Sequence, residues 1–154
     1  MRSVNEWFGN YSRDHRHPVN RAIHWVCVPV ILWCVIALLW LVPVPLQSLR
    51  QGSWAVLAMF LAFLFYQRLS RRLGWAMALQ FIVLALLTAG LHRWLGTSGL
   101  MWLAIGLFVV AWIGQFVGHA IEGQRPSFLT DLAYLLIGPA WLTGKVMRRL
   151  GVAY

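Results

Sequence analysis

The chain has 154 residues, 60% of them hydrophobic and only 11% charged, with ten tryptophans. A soluble domain carries roughly 25% charged residues, so these figures exclude an ordinary soluble fold and point to one integral membrane domain over residues 1–154. Lysine and arginine outnumber aspartate and glutamate 13 to 4, a net charge of +9; the arginines flank long apolar runs, so the excess reports membrane orientation and not nucleic-acid binding.

The expected fold class is all-α: a multi-pass membrane helix bundle of about four transmembrane helices, with an N-terminal interfacial helix and a C-terminal re-entrant or interfacial helical segment. Residues 3 to 15 read as an amphipathic helix on the membrane surface. Ser3 and Glu6 make a capping box, and Val4, Trp7, Phe8 and Tyr11 share one face. His17-Pro18 ends it.

Four apolar runs follow, about Ala22 to Val42, Trp54 to Tyr66, Trp75 to Leu91 and Leu100 to Ile121. Each approaches the roughly 20 residues needed to cross the hydrocarbon. The first is closed by Pro43 and Pro45, and its core exceeds the roughly 7–15 residues of a signal-peptide h-region. Pro29 inside it is a candidate kink.

Counting cations by loop orients the bundle. Four crossings with both termini inside place Arg2, Arg13, Arg16, Arg21, Arg68, Arg71, Arg72, Arg125, Lys145, Arg148 and Arg149 inside, and Arg50 and Arg93 outside. This is a strong positive-inside pattern. It implies cytoplasmic termini, in a bacterial inner membrane by the look of the chain. The last segment, Ser127 to Leu150, carries an apolar stretch interrupted at Gly138-Pro139. A fifth crossing would export three cations, so a re-entrant or interfacial hairpin is expected there.

Cys27 and Cys34 share one run. They lie about 10 Å apart on a helix and cannot bridge within it. They read as small buried apolar residues.

The topology also sorts the histidines. His15, His17, His24 and His119 fall at the inner end, whereas His92 falls at the outer end, about a bilayer away. Asn20 and His24 share a helix face. Gln115, His119 and Glu122 form a polar stripe at i, i+4, i+7. Such groups near membrane depth are costly and point to function. Gly114 and Gly118 allow a neighbouring helix to approach closely. Three histidines from two elements with Glu122 or Gln115 would make a metal site, since imidazole suits borderline metals. The alternative is interfacial histidines bonded to headgroups or backbone, and spacing alone does not separate the two. The chain has too few carboxylates for a carboxylate-bridged di-iron centre and too few histidines for an eight-histidine desaturase site. No phosphate loop, cysteine cluster or Ser-His-Asp arrangement stands out.

Two stretches carry a resemblance. The run Tyr11-Ser-Arg-Asp-His15-Arg-His-Pro-Val-Asn20-Arg-Ala-Ile-His24, followed by Val28-Pro29, resembles the N-terminal signature of a family of small membrane proteins long catalogued as a domain of unknown function. The run Gly114-Gln115-Phe-Val-Gly118-His119-Ala-Ile-Glu122-Gly-Gln-Arg-Pro126 resembles its second signature, with the glutamate here at the third place after the histidine. The family includes the fungal Fe(II)-dependent 2-hydroxy-fatty-acid dioxygenase. The resemblance covers nearly the whole chain.

What the resemblance implies is a non-haem Fe(II) dioxygenase. Such an enzyme performs α-oxidation, converting a long-chain 2-hydroxy acid and O2 to CO2 and a fatty acid one carbon shorter. It implies His15, His24 and His119 as iron ligands. Asn20, Gln115 and Glu122 become catalytic positions that support or add to that set, and His17 a lesser candidate ligand. Arg16, Arg21 or Arg125 could pair with the substrate carboxylate. The other readings are a non-catalytic membrane lipid-binding or assembly protein, and a metal-dependent lipid enzyme of another reaction type. The sequence carries no signal for oligomeric state.

Overall fold

A computed structural model describes residues 2–45, 50–129 and 131–154. The described elements are helices: α1 (Val4–Arg13), α2 (Pro18–Leu41), α3 (Ser53–Leu69), α4 (Arg71–Glu122) and α5 (Tyr134–Arg149), with a 3-10 turn at Ser127–Leu129. No strand occurs among the described residues.

The local chemistry sets the boundaries. Ser3 and Glu6 close the expected capping box, with Ser3 N donating to Glu6 Oε2 at 2.6 Å and Glu6 N to Ser3 Oγ at 3.3 Å. Pro18 opens α2, where a missing N–H costs nothing. His17 is its N-cap, and His17 Nδ1 accepts from Val19 N at 3.3 Å. Pro29 is accommodated inside α2, which continues to Leu41.

Two helices, α2 and α4, are long and apolar enough to cross a membrane, not the four expected. The reasons are physical. The second apolar run forms α3, a 17-residue helix, short of the roughly 20 residues a crossing needs. The third and fourth runs are joined in α4, which is broken only at Gly96 (φ 71°, ψ 179°). That φ is open to glycine without steric cost.

The break at Gly96 reverses the chain. A straight helix would hold Met77 and His119 about 63 Å apart. Both instead reach the same region: Thr143 Oγ1 of α5 donates to Met77 Sδ at 3.3 Å, while Trp141, two residues earlier, lies beside His15 and through it His119. The second arm of α4 runs antiparallel to α2. Leu100 and Ala104 pack on Trp33, Cys34 and Ala37 at one end, and Gly118 meets Asn20 at the other.

The N-terminal helix does not offer its apolar face to the bilayer. Trp7, Phe8 and Tyr11 are buried against the C-terminal segment: Trp7 on Tyr134 at 5.1 Å, Tyr11 on Trp141 at 5.1 Å and Phe8 on Tyr154 at 5.4 Å between ring centroids. Three aromatic rings gain more by edge-to-face packing in a closed core than at a wet interface. The C-terminal segment is one helix and not a hairpin, since α5 passes through Gly138-Pro139. Large apolar side chains stay exposed along the long helices, including Trp94 at 80% and Leu86 at 68%, as a surface in contact with lipid would have.

Candidate metal centre

Three side chains from three parts of the chain meet where α2 begins and α4 ends. His15 comes from the link between α1 and α2, His24 from the second turn of α2, and His119 from the last turn of α4. All three are buried. Their ring centroids are 4.3 Å (His15–His24), 4.9 Å (His15–His119) and 5.0 Å (His24–His119) apart. One ring nitrogen from each lies within 4.8 Å of the others.

The backbone fixes the tautomers of two of them. His15 Nδ1 is 2.6 Å from Tyr11 O, and His24 Nδ1 is 2.9 Å from Asn20 O. A carbonyl oxygen only accepts, so each Nδ1 carries the proton. In neutral rings both Nε2 atoms then present lone pairs, and these face each other at 3.0 Å. Two such lone pairs repel unless a cation lies between or beside them. A shared proton is disfavoured, because burial pushes His15 below the ordinary histidine range, against the weaker pull of Tyr11 O, Asp14 and Glu122. His119 Nδ1 is also buried without a hydrogen-bond partner. This donor set fits a borderline divalent metal, whose imidazole ligands usually give their second N–H to a carbonyl or carboxylate.

Close packing brings α4 to α2. At Gly118 a methyl group would overlap Asn20 Oδ1, so only glycine lets His119 reach the other two rings. Asn20 is fully buried; Asn20 Nδ2 donates to Glu122 Oε2 at 3.0 Å. Glu122 Oε1 also accepts from Arg16 N at 2.6 Å and Oε2 from His17 N at 2.9 Å. Glu122 therefore neutralises the start of α2 and ties down the link carrying His15.

A cavity of about 300 Å³ opens from the histidines. Its wall is a helical stripe on each long helix: His24, Val28, Ile31, Leu32 and Val35 on α2, and His119, Gln115, Trp112 and Phe108 on α4, closed by α5. Gln115 and Ser127 are polar side chains beside the cluster, and Ser127 Oγ donates to Asp14 Oδ2 at 2.7 Å.

The structure thus brings His15, His24, His119, Gln115, Asn20 and Glu122 into one neighbourhood, the last two as a bonded pair behind the rings. It does not bring in Arg16, Arg21 or Arg125, which are exposed and do not line the cavity. His17 caps α2 outside the cluster. His92 lies at the far end, near Gln51 and Thr97. Sequence reasoning missed Tyr11 as a site residue, although its ring stacks on His15 at 4.0 Å; their i, i+4 spacing was the available signal. It also missed Trp112 and Phe108, which continue the Gln115–His119 stripe at the same helical period.

The chain is 32% identical over 147 residues to the 2-hydroxy-palmitic acid dioxygenase MPO1 of Saccharomyces cerevisiae (strain ATCC 204508 / S288c), covering 93% of this chain and 79% of the yeast protein. No solved structure matches. The relative is fungal and gives the bacterial-membrane expectation no support. The family model described as "2-hydroxy-palmitic acid dioxygenase Mpo1-like" matches residues 1–150, and the chain belongs to that Mpo1-like family.

Proposed function

We propose that this protein is a membrane-bound, Fe(II)-dependent dioxygenase that converts a long-chain 2-hydroxy fatty acid and O2 to CO2 and the fatty acid one carbon shorter. The observation that carries the reading is the pair of facing Nε2 lone pairs, with His119 beside them, at the end of an apolar cavity. The yeast relative's name, 2-hydroxy-palmitic acid dioxygenase, supports the substrate class.

His15, His24 and His119 would hold the iron. When bound, Fe(II) supplies open positions for O2 and for chelation by a 2-hydroxy carboxylate. The overall reaction balances without an external reductant: R–CH(OH)–COOH and O2 give R–COOH, CO2 and H2O. The C1–C2 bond breaks, and the substrate supplies all four electrons that O2 takes up.

The chain's own residues do the positioning. Val28, Ile31, Leu32 and Val35 line a path for the acyl chain and exclude water from it. Gln115 and Ser127 are the polar groups beside the rings that can meet the hydroxyl and carboxylate. Asn20 and Glu122 hold the link that carries His15. Arg16, Arg21 and Arg125, exposed at the same end of the molecule, would attract the anionic substrate toward the site. The two arms of α4 with α2 and α3 would make four crossings, the 17-residue α3 spanning where the bilayer thins to its length, and the cation distribution favours both termini in the cytoplasm.

The test is incubation of anaerobically purified protein with 2-hydroxypalmitate, Fe(II) and O2, followed by mass analysis. A C15 fatty acid with stoichiometric CO2 supports the reading. A product of unchanged carbon number points to a different lipid oxidation, and no iron and no turnover to a lipid-binding role.

A further inference from the structure

We propose that the hollow between α1 and the C-terminal half of α5 binds the phosphate of an anionic phospholipid headgroup. It is a separate place from the histidine cavity: Trp141 lines the hollow and not the cavity, its ring lies 5.1 Å from Tyr11 and 5.7 Å from His15 between centroids, and Lys145 Nζ sits 3.4 Å over it. The hollow has a volume of about 260 Å³ and is lined by Asn5, Ser12, Lys145 and Arg148 between the rings of Trp141 and Tyr154.

Charge balance points to an anion here. Lys145, Arg148, Arg149 and Arg21 crowd one region. The chain has only four acidic residues, and each is engaged elsewhere. Glu6 caps α1, Asp14 accepts from Ser127, Glu122 binds the start of α2, and Asp131 pairs with Arg2 at 3.5 Å. None of the four side-chain carboxylates therefore pairs with this cluster, which leaves its cations open to an anion from outside the chain. The cations are held by aromatic faces instead: Lys145 on Trp141, Arg148 on Tyr154 at 5.1 Å and Arg149 on Trp25 at 5.5 Å. Burial, with Arg21, Arg149 and Arg148 close by, pushes Lys145 down to about 8. A bound anion would relieve that repulsion.

The chemistry favours a lipid over a free anion. Asn5 and Ser12 add polar groups to the two cations, which suits a phosphodiester. Val146, Leu150 and Val152 are exposed on the neighbouring surface, Leu150 at 73%, and offer acyl chains an apolar seat. The hollow also lies at the end of the bundle that the cation distribution assigns to the inner leaflet, where anionic lipids concentrate.

The test uses the full chain in detergent and native mass spectrometry with added phosphatidylglycerol or phosphatidylcholine. The variants are Lys145→Gln with Arg148→Gln, and Arg71→Gln as an exposed cation of the same leaflet outside the hollow. The unaltered chain is expected to retain one phosphatidylglycerol in preference to phosphatidylcholine. The double variant should bind it about 30-fold more weakly, while Arg71→Gln stays within about twofold. Thermal melting identifies any variant that fails to fold, and Lys145→Gln alone then serves, with an expected loss of about fivefold. Equal loss in Arg71→Gln, no loss in the double variant, or inorganic phosphate displacing the lipid at equal concentration would overturn the proposal.

Discussion

Each of the two facing imidazoles is locked by a backbone carbonyl four residues earlier, Tyr11 for His15 and Asn20 for His24. The same device serves one ring outside a regular helix and one inside it, so two elements aim their Nε2 atoms at one point. Replacing His24 or His119 by alanine should therefore drop bound iron from about one to below about 0.1 per chain, as elemental analysis would record, with activity lost in step. A histidine buried in its neutral form also ties stability to pH. Because His15 is pushed below its unfolded value, the unfolded chain binds the extra proton first as pH falls. Stability of the metal-free protein is complete above about pH 6.5 and declines below it. Melting temperatures of metal-free protein from pH 8 to 5 should fall on the acidic side, and a rise there would contradict the burial of these rings.

At the scale of elements, the site depends on how closely α4 approaches α2. Gly118 leaves no room for a methyl group against Asn20 Oδ1. Gly118→Ala should cost about 1–3 kcal/mol and lower iron occupancy, read by melting and metal analysis together. The cavity's apolar length is also set by helices: His24 to Val35 and Phe108 to His119 each span about 16 Å along their axes. Val35→Trp should shift the preferred substrate toward shorter acyl chains, measured as kcat/KM across a 2-hydroxy acid series. Unchanged preference would place the chain elsewhere. Much of this was legible in sequence. The capping box, the apolar runs and the inner-end grouping of histidines follow from spacing and from charge. The burial of the α1 aromatic face was not legible, because an amphipathic stripe looks the same whether lipid or α5 covers it. Glu122 was legible as a polar position, but its role at the start of α2 needs the fold, since its partners lie more than a hundred residues away.

For the whole molecule, the sequence pattern separated four apolar runs where the structure has two long helices and one shorter one. Periodicity cannot show that Gly96 is the sole break between the third and fourth runs, because helical propensity continues on both sides of it. The reversal there is what returns His119 to the end where His15 and His24 lie, and so topology and site stand together. Single cysteines at Arg93 and Arg71, in a background lacking Cys27 and Cys34, should label from opposite sides of sealed vesicles. Labelling from one side would remove the four-crossing arrangement. The most direct test of the account is anomalous diffraction at the iron edge from crystals of anaerobically loaded protein. One iron peak within bonding distance of His15, His24 and His119 together is expected. A peak elsewhere, or fully loaded crystals in which one of these rings points away from the ion, would contradict it.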